Sequence, residues 1–297
     1  MQSHATEKPE TYAIPALDIQ QYYLMNGPMT NVIVYEFTLD DIIDQTEMNA
    51  ALEATLEDFP CFRFAPAIEN NEIRFIKNET PATVFPADGH GRKLGEASAA
   101  GYMFVVTVDG KQVSTHFHHS ISDGRGCLAF AITLLMHYFS NRGIQFEAAD
   151  WPKNQSTGAP YVFYGEKERK AGTDYEYSFT KEDPKTFFHR PEPLFSAEEH
   201  QNELYTITCP LQPVLDRAHF YHTKPAAYLS ALLADAYRAV YPVGNQTILG
   251  MVTVDCRNIF HDEAANNAPS AVFVLDFDRE RKETPGRQAL AFLLRGL

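Results

Sequence analysis

Apolar and polar positions alternate with a period of two over Asn31 to Leu39 and over Glu72 to Lys77, which predicts two strands. Between them the period lengthens: Met48, Leu52 and Leu56 fall on one face of a helix predicted over Glu47 to Asp58. Two more strands follow, Tyr102 to Val108 and Gln112 to His118, joined by Asp109-Gly110, a dipeptide that favours the positive φ of a tight hairpin turn. The stretch from Gly89 to Gly101 is rich in Gly, Ala and charge and reads as a loop or a short irregular helix. The apolar run Cys127 to Phe139 is long enough for a buried helix, so the first half of the chain has a mixed α/β order.

From about Ala148 to Gln201 the chain carries many Pro, Glu, Lys and aromatic residues without a sustained period, which marks a long crossover between lobes. We therefore expect an N-terminal lobe over residues 1–190 and a partial C-terminal lobe over 191–297. In the second lobe Glu203 to Cys209 reads as a strand and Pro213 to Tyr221 as a helix. Thr223 is expected to cap a further helix running to about Val240, with Pro225 tolerated in its first turn. Thr247 to Asp255 and Ala271 to Phe277 are buried strands in this reading, and Arg287 to Leu297 begins another helix without a closing strand after it.

The chemistry concentrates in Ser114-Thr-His-Phe-His-His-Ser-Ile-Ser-Asp-Gly124. Strand alternation puts His116 and His118 on one face and leaves His119 at the strand's end, where pairing gives way to a loop. Asp123 follows four residues later, at the start of the apolar helix. An imidazole with an ordinary pKa of roughly 6.5 keeps a useful neutral fraction at physiological pH, so His119 is a candidate general base. His116, His118 and His119 with Asp123 also offer metal-ligand chemistry, although adjacent histidines on a continuing strand point apart. Ser114, Ser120 and Ser122 lie outside any G-x-S-x-G elbow. His137, His219 and His222 read as structural or solvent-facing, and Tyr22, Tyr23, Phe117 and Phe130 as either pocket lining or core.

Composition narrows the function classes. With 44% hydrophobic and 22% charged residues the chain is an ordinary globular protein, and its net charge of −14 argues against a nucleic-acid partner. Cys61, Cys127, Cys209 and Cys256 form no C-x-x-C pair, which speaks against a compact zinc site or a disulfide framework. Met1 to Glu10 lack the apolar core of a signal peptide, and no stretch nears the roughly 20 apolar residues of a membrane span, so a cytoplasmic protein is expected.

His118-His119-Ser120-Ile121-Ser122-Asp123-Gly124 matches the pattern H-H-x-x-x-D-G and resembles the acyltransferase superfamily that includes chloramphenicol acetyltransferase, nonribosomal peptide condensation domains and BAHD acyltransferases. Stand-alone alcohol acetyltransferases look most similar, and the likeness extends to Ala16-Leu-Asp18, to Glu47–Asp58 with Phe59-Pro60, to Val254-Asp-Cys-Arg257 and to Asn266-Asn267. The D-F-G-W-G motif of plant BAHD enzymes is absent. The resemblance implies a two-lobed, chloramphenicol-acetyltransferase-like α/β fold with mixed sheets, its second lobe incomplete beside the longer members of the family. It implies His119 as the base that deprotonates a small alcohol or amine acceptor, with acyl-coenzyme A as co-substrate, a carrier protein as an alternative donor, and no metal or permanently bound cofactor. In this reading His118 supports the base and Asp123 is structural, paired with Arg257 from the second lobe. The Gly124 N–H is a candidate oxyanion donor, with an ordinary helix-start glycine as its alternative. The competing reading is a truncated, inactive acyltransferase-like binding or interaction protein, and a His/Asp metal-dependent enzyme ranks behind it.

Overall fold

A computed structural model describes residues 11–13, 32–69, 72–89, 91–152, 206–244, 246, 248–255 and 270–277. The chain divides into two compact units, Met1–Thr173 with Arg257–Pro269, and Asp174–Cys256 with Ser270–Leu297.

The first unit is built on a four-stranded mixed sheet. Its strands are β2 (Val32–Thr38), β5 (Val84–Pro86), β6 (Phe104–Asp109) and β7 (Gln112–His118), in the order β2-β7-β6-β5. β7 is the inner strand that matters for chemistry: it runs antiparallel to β2, with Val32 opposite His118, and antiparallel to β6, with Asp109 opposite Gln112. The loop between β6 and β7 is Gly110-Lys111, and Gly110 alone of the two takes a positive φ, +55°, as the first loop position of a type II′ turn requires. A second, antiparallel sheet contains β1 (Thr11–Ala13), β3 (Phe64–Glu69) and β4 (Glu72–Lys77) in the order β1-β4-β3.

Two helices, α1 (Gln45–Asp58) and α2 (Gly124–Asn141), cover one face of the four-stranded sheet. That face takes every second residue of each strand: Ile33, Tyr35 and Phe37 of β2, Val113 and Phe117 of β7, Phe104 and Val106 of β6. The helices answer with Met48, Leu52 and Leu56 from α1 and Cys127, Phe130 and Leu134 from α2. At its centre the rings of Phe59, Phe62, Phe104, Phe117 and Phe130 interlock, the closest pair being Phe62 and Phe130 with centroids 4.5 Å apart. Phe117 and Phe130 are thus core residues, which settles their alternative of pocket lining; Tyr22 and Tyr23 lie outside the described residues.

Polar side chains on α1 serve the edge of this sheet. Gln45, Asn49 and Glu53 recur every four residues, and the chain at Ala82 to Val84 lies along them. Gln45 Nε2 donates to the Val84 carbonyl at 2.8 Å, the Val84 N–H donates to Asn49 Oδ1 at 2.8 Å, and the Ala82 N–H donates to Glu53 Oε1 at 2.9 Å. The short edge strand β5 thereby has backbone groups satisfied by a helix. Asp44 caps α1 by accepting from the N–H groups of Thr46 and Glu47, which starts the helix two residues before the expected Glu47.

In the second unit the described elements are α3 (Leu211–Phe220), α4 (Pro225–Val240) and an antiparallel pair of strands, β8 (Ile248–Asp255) and β9 (Ser270–Phe277). Two expectations need correction. Thr206 to Pro210 are irregular and exposed, Ile207 to 91%, so the alternation expected to make a strand from Glu203 to Cys209 finds no burial there; residues 203–205 lie outside the described set. Lys224, not Thr223, occupies the cap of α4, and the Thr223 hydroxyl is buried without a hydrogen-bond partner among the described residues. Pro225 stands at the first helical position, where its missing N–H costs nothing. The helix expected over Arg287 to Leu297 lies outside the described residues.

Candidate active site

β7 ends at His118, whose N–H donates to the Met103 carbonyl at 2.8 Å. The chain then reverses in a turn closed by the Ile121 N–H donating to the His118 carbonyl at 3.2 Å, with His119 and Ser120 at its centre. Three residues later α2 begins. Both ends of the five-residue segment from His119 to Asp123 are therefore held by regular hydrogen bonding, and His119 sits at the corner.

The two adjacent histidines have different environments. His118 is buried, and its Nδ1 accepts from the Ser120 N–H at 3.2 Å and lies 2.7 Å from Ser120 Oγ. An Nδ1 that accepts a backbone N–H carries no proton, so neutral His118 bears its proton on Nε2. Ser120, outside any G-x-S-x-G elbow, is buried against His118 and has no hydrogen bond to His119 among the described residues. His119 is half-buried, and its Nδ1 is shielded from solvent with no hydrogen-bond partner among the described residues. Shielded polar atoms of this kind are uncommon in folded proteins, and a catalytic role is one of the explanations for them.

Asp123 does not face the base as part of a dyad. It is the N-cap of α2: its Oδ1 accepts the Gly126 N–H at 2.9 Å and its carbonyl accepts the Cys127 N–H at 2.9 Å. Arg257, the expected partner of Asp123, lies outside the described residues. Gly124 is the first residue of α2, so its N–H belongs to the first-turn amides that have no acceptor within the helix.

The alternative of an ordinary helix-start glycine describes its backbone: Gly124 is absent from the residues of positive φ, and a Cβ built on it would meet only Tyr35 Oη at 3.4 Å, an ordinary contact. Gly124→Ala should consequently fold as well as the parent, with thermal stability unchanged or raised, since alanine exceeds glycine by up to about 1 kcal/mol in a helix. Loss of folded protein would show that the backbone itself demands glycine.

Tyr35 is a residue that sequence reasoning missed. Its phenol O–H donates to the Gly124 carbonyl at 2.6 Å, across 89 residues of sequence. Burial raises its pKa above the ordinary tyrosine value, with Cys127 and Asp123 adding to the effect, so it remains a donor. The period-two pattern of β2 marks Tyr35 as core-facing, but no local pattern marks it as a donor to α2.

His116 lies on the opposite face of β7, between Val34 and Val105 in register. Burial holds its imidazole below the ordinary histidine pKa, and Glu36 offsets part of that. The folded chain resists this proton, so on acidification below roughly pH 6.5 the unfolded chain takes it first and stability falls. The loss continues until the depressed folded pKa is passed. His116→Gln should flatten that part of a stability–pH curve relative to the parent; an unchanged difference between the two across the interval would contradict it.

Among the described residues no three His, Cys, Asp or Glu side chains converge as a metal-ligand set, and His116, His118, His119 and Asp123 are not brought together as one. His137 pairs with Asp58, Nε2 to Oδ2 at 2.7 Å, beside the Trp151 ring, while His219 and His222 are exposed.

Neither a scan of protein-family models nor a search of curated proteins found a match to the chain. Solved structures do match. The starter condensation domain of rhizomide synthetase, solved as a mutant in complex with C8-CoA, superposes with a TM-score of 0.67 at 14% identity, covering 96% of this chain and 71% of that one. The polyketide synthase associated protein 5 from Mycobacterium tuberculosis gives a TM-score of 0.60 at 11% identity, covering 95% and 71%. VibH, a nonribosomal peptide synthetase condensation enzyme, gives 0.57 at 16% identity, covering 94% and 70%. Likeness of this kind over nearly the whole chain, at such low identity, establishes a shared architecture: this protein has the α/β fold of the condensation domains.

Proposed function

We propose that the chain transfers an acyl group from acyl-coenzyme A to a small alcohol or amine, as stand-alone alcohol acetyltransferases do, with the chemistry carried by the lobe of residues 1–190. His119 takes the acceptor's proton as its oxygen or nitrogen attacks the thioester carbonyl carbon. The new C–O or C–N bond forms, and the carbonyl oxygen gains negative charge, for which the Gly124 N–H is the donor. Collapse of the tetrahedral species breaks the C–S bond, and the proton passes from His119 to the departing thiolate. Atoms and charge balance without a covalent enzyme intermediate, a metal or a resident cofactor. His118, locked by Ser120, backs the turn that presents the base. Asp123 holds the helix start and pairs with Arg257 in this reading.

The observation that carries the proposal is the His119 imidazole itself, placed at the strand–turn–helix corner with a shielded, unpartnered Nδ1. The condensation-domain fold supports it, and the C8-CoA complex of one neighbour supports an acyl-coenzyme A donor. A carrier-protein thioester presents the same reacting carbonyl and is the alternative donor. A cytoplasmic location is proposed; no helix among the described residues is long and apolar enough to cross a membrane.

The test is release of free thiol from acetyl-coenzyme A by the purified chain, with and without a panel of alcohols and amines. Acceptor-dependent release supports transfer. Donor binding without release for any acceptor would favour the reading of an inactive binding protein.

A further inference from the structure

The corner that carries His119 is tied to the neighbouring strand β2 by a residue outside its own segment. Tyr35 sits in the middle of β2, its backbone opposite Thr115 of β7 and its carbonyl accepting from Thr115 Oγ1 at 3.3 Å. The side chain packs on the core face, and its phenol reaches the carbonyl of Gly124, the first residue of α2. In a helix that carbonyl accepts the N–H four residues on, which leaves one lone pair, and the phenol occupies it. The 2.6 Å separation makes this a short bond between a neutral donor and acceptor.

We propose that Tyr35 is a positioning residue for acyl transfer: its bond to the Gly124 carbonyl sets the first turn of α2, and with it the Gly124 N–H and the turn presenting His119. The proposal rests on the acyl-transfer reading above. Three features support it. The Asp123 cap fixes the same turn from the helix side, and Tyr35 fixes it to β2. Burial raises the phenol's pKa above the ordinary tyrosine value, which keeps the O–H in place as a donor. A phenylalanine would fill the same core space, which makes the hydroxyl superfluous for packing alone.

Tyr35→Phe in the full chain separates positioning from packing, because it keeps the ring and removes only the O–H. Two readouts are taken on folded protein. Amide exchange in the substrate-free state should quicken at Gly126 and Cys127, whose N–H groups are bonded to Asp123 in the tethered turn. Acceptor-dependent turnover should fall by about 10- to 100-fold in kcat with KM for the donor nearly unchanged, the behaviour of a displaced reacting geometry. Unchanged exchange at both amides overturns the tether. Faster exchange with unchanged kcat overturns the positioning role. Where the parent itself releases no thiol, the acyl-transfer reading fails separately, positioning for that reaction falls with it, and the exchange readout alone decides the tether.

Discussion

His119→Ala is expected to leave the protein folded and to lower acceptor-dependent thiol release by about 100- to 10,000-fold, the usual worth of a positioned general base. The fold should survive because His119 is a half-buried turn residue whose Nδ1 makes no hydrogen bond among the described residues, so truncation leaves no buried partner stranded. His118→Ala is the instructive contrast. It empties a buried site and abandons Ser120, so its effect should show first in stability. Circular dichroism and a melting curve on each variant, beside the rate, separate the two outcomes. Parent-level transfer by folded His119→Ala protein would remove this residue from the mechanism.

Substitutions at Asp123 should divide by what the new side chain can still accept. Asparagine caps helices as well as aspartate, so Asp123→Asn should keep the bond to Gly126 and stay within a few tenths of a kcal/mol of parent stability, whereas Asp123→Ala should lose about 0.5–2 kcal/mol. The proposed pairing with Arg257 depends on charge, which asparagine lacks. Asp123→Asn and Arg257→Ala should therefore each reduce turnover, by about 10- to 100-fold if the corner shifts, and the double variant should cost less than the two losses combined. Parent-level turnover in Asp123→Asn would reduce the role of Asp123 to its cap. Fully additive losses would mean that the two residues act apart.

The strand–turn–helix setting of the site was legible because each of its parts is local. Alternation over Gln112 to His118, the turn glycine Gly110 and the apolar run after Gly124 are short-range patterns, and they recur as β7, the type II′ loop and α2 within a few residues. The capping role of Asp123 is local too: an aspartate directly before an apolar helical run is a standard start signal. Asp44 gave the same signal for α1, and the sequence reading passed over it.

What escaped the sequence reading depends on distant partners. β5 has three residues and no pattern of its own; its backbone is satisfied by Gln45 and Asn49, some 35 to 39 residues away. Tyr35 was visible as a core-facing strand residue and invisible as the tether of Gly124. Thr223 misled for the converse reason. A threonine near a helix start has the composition of a cap, but with Pro225 at the first helical position the cap falls on Lys224, one residue later.

The central claim is direct transfer from donor to acceptor at His119, and mass spectrometry of both partners tests it most directly. Purified chain is incubated with acetyl-coenzyme A and an acceptor that gave thiol release, and the acceptor and the intact protein are then weighed. The account predicts an acceptor heavier by one acetyl group, a protein of unchanged mass, and neither product nor adduct with His119→Ala. An acceptor that stays unmodified while thiol is released, or a protein that itself carries the acetyl group on the path to product, would contradict it.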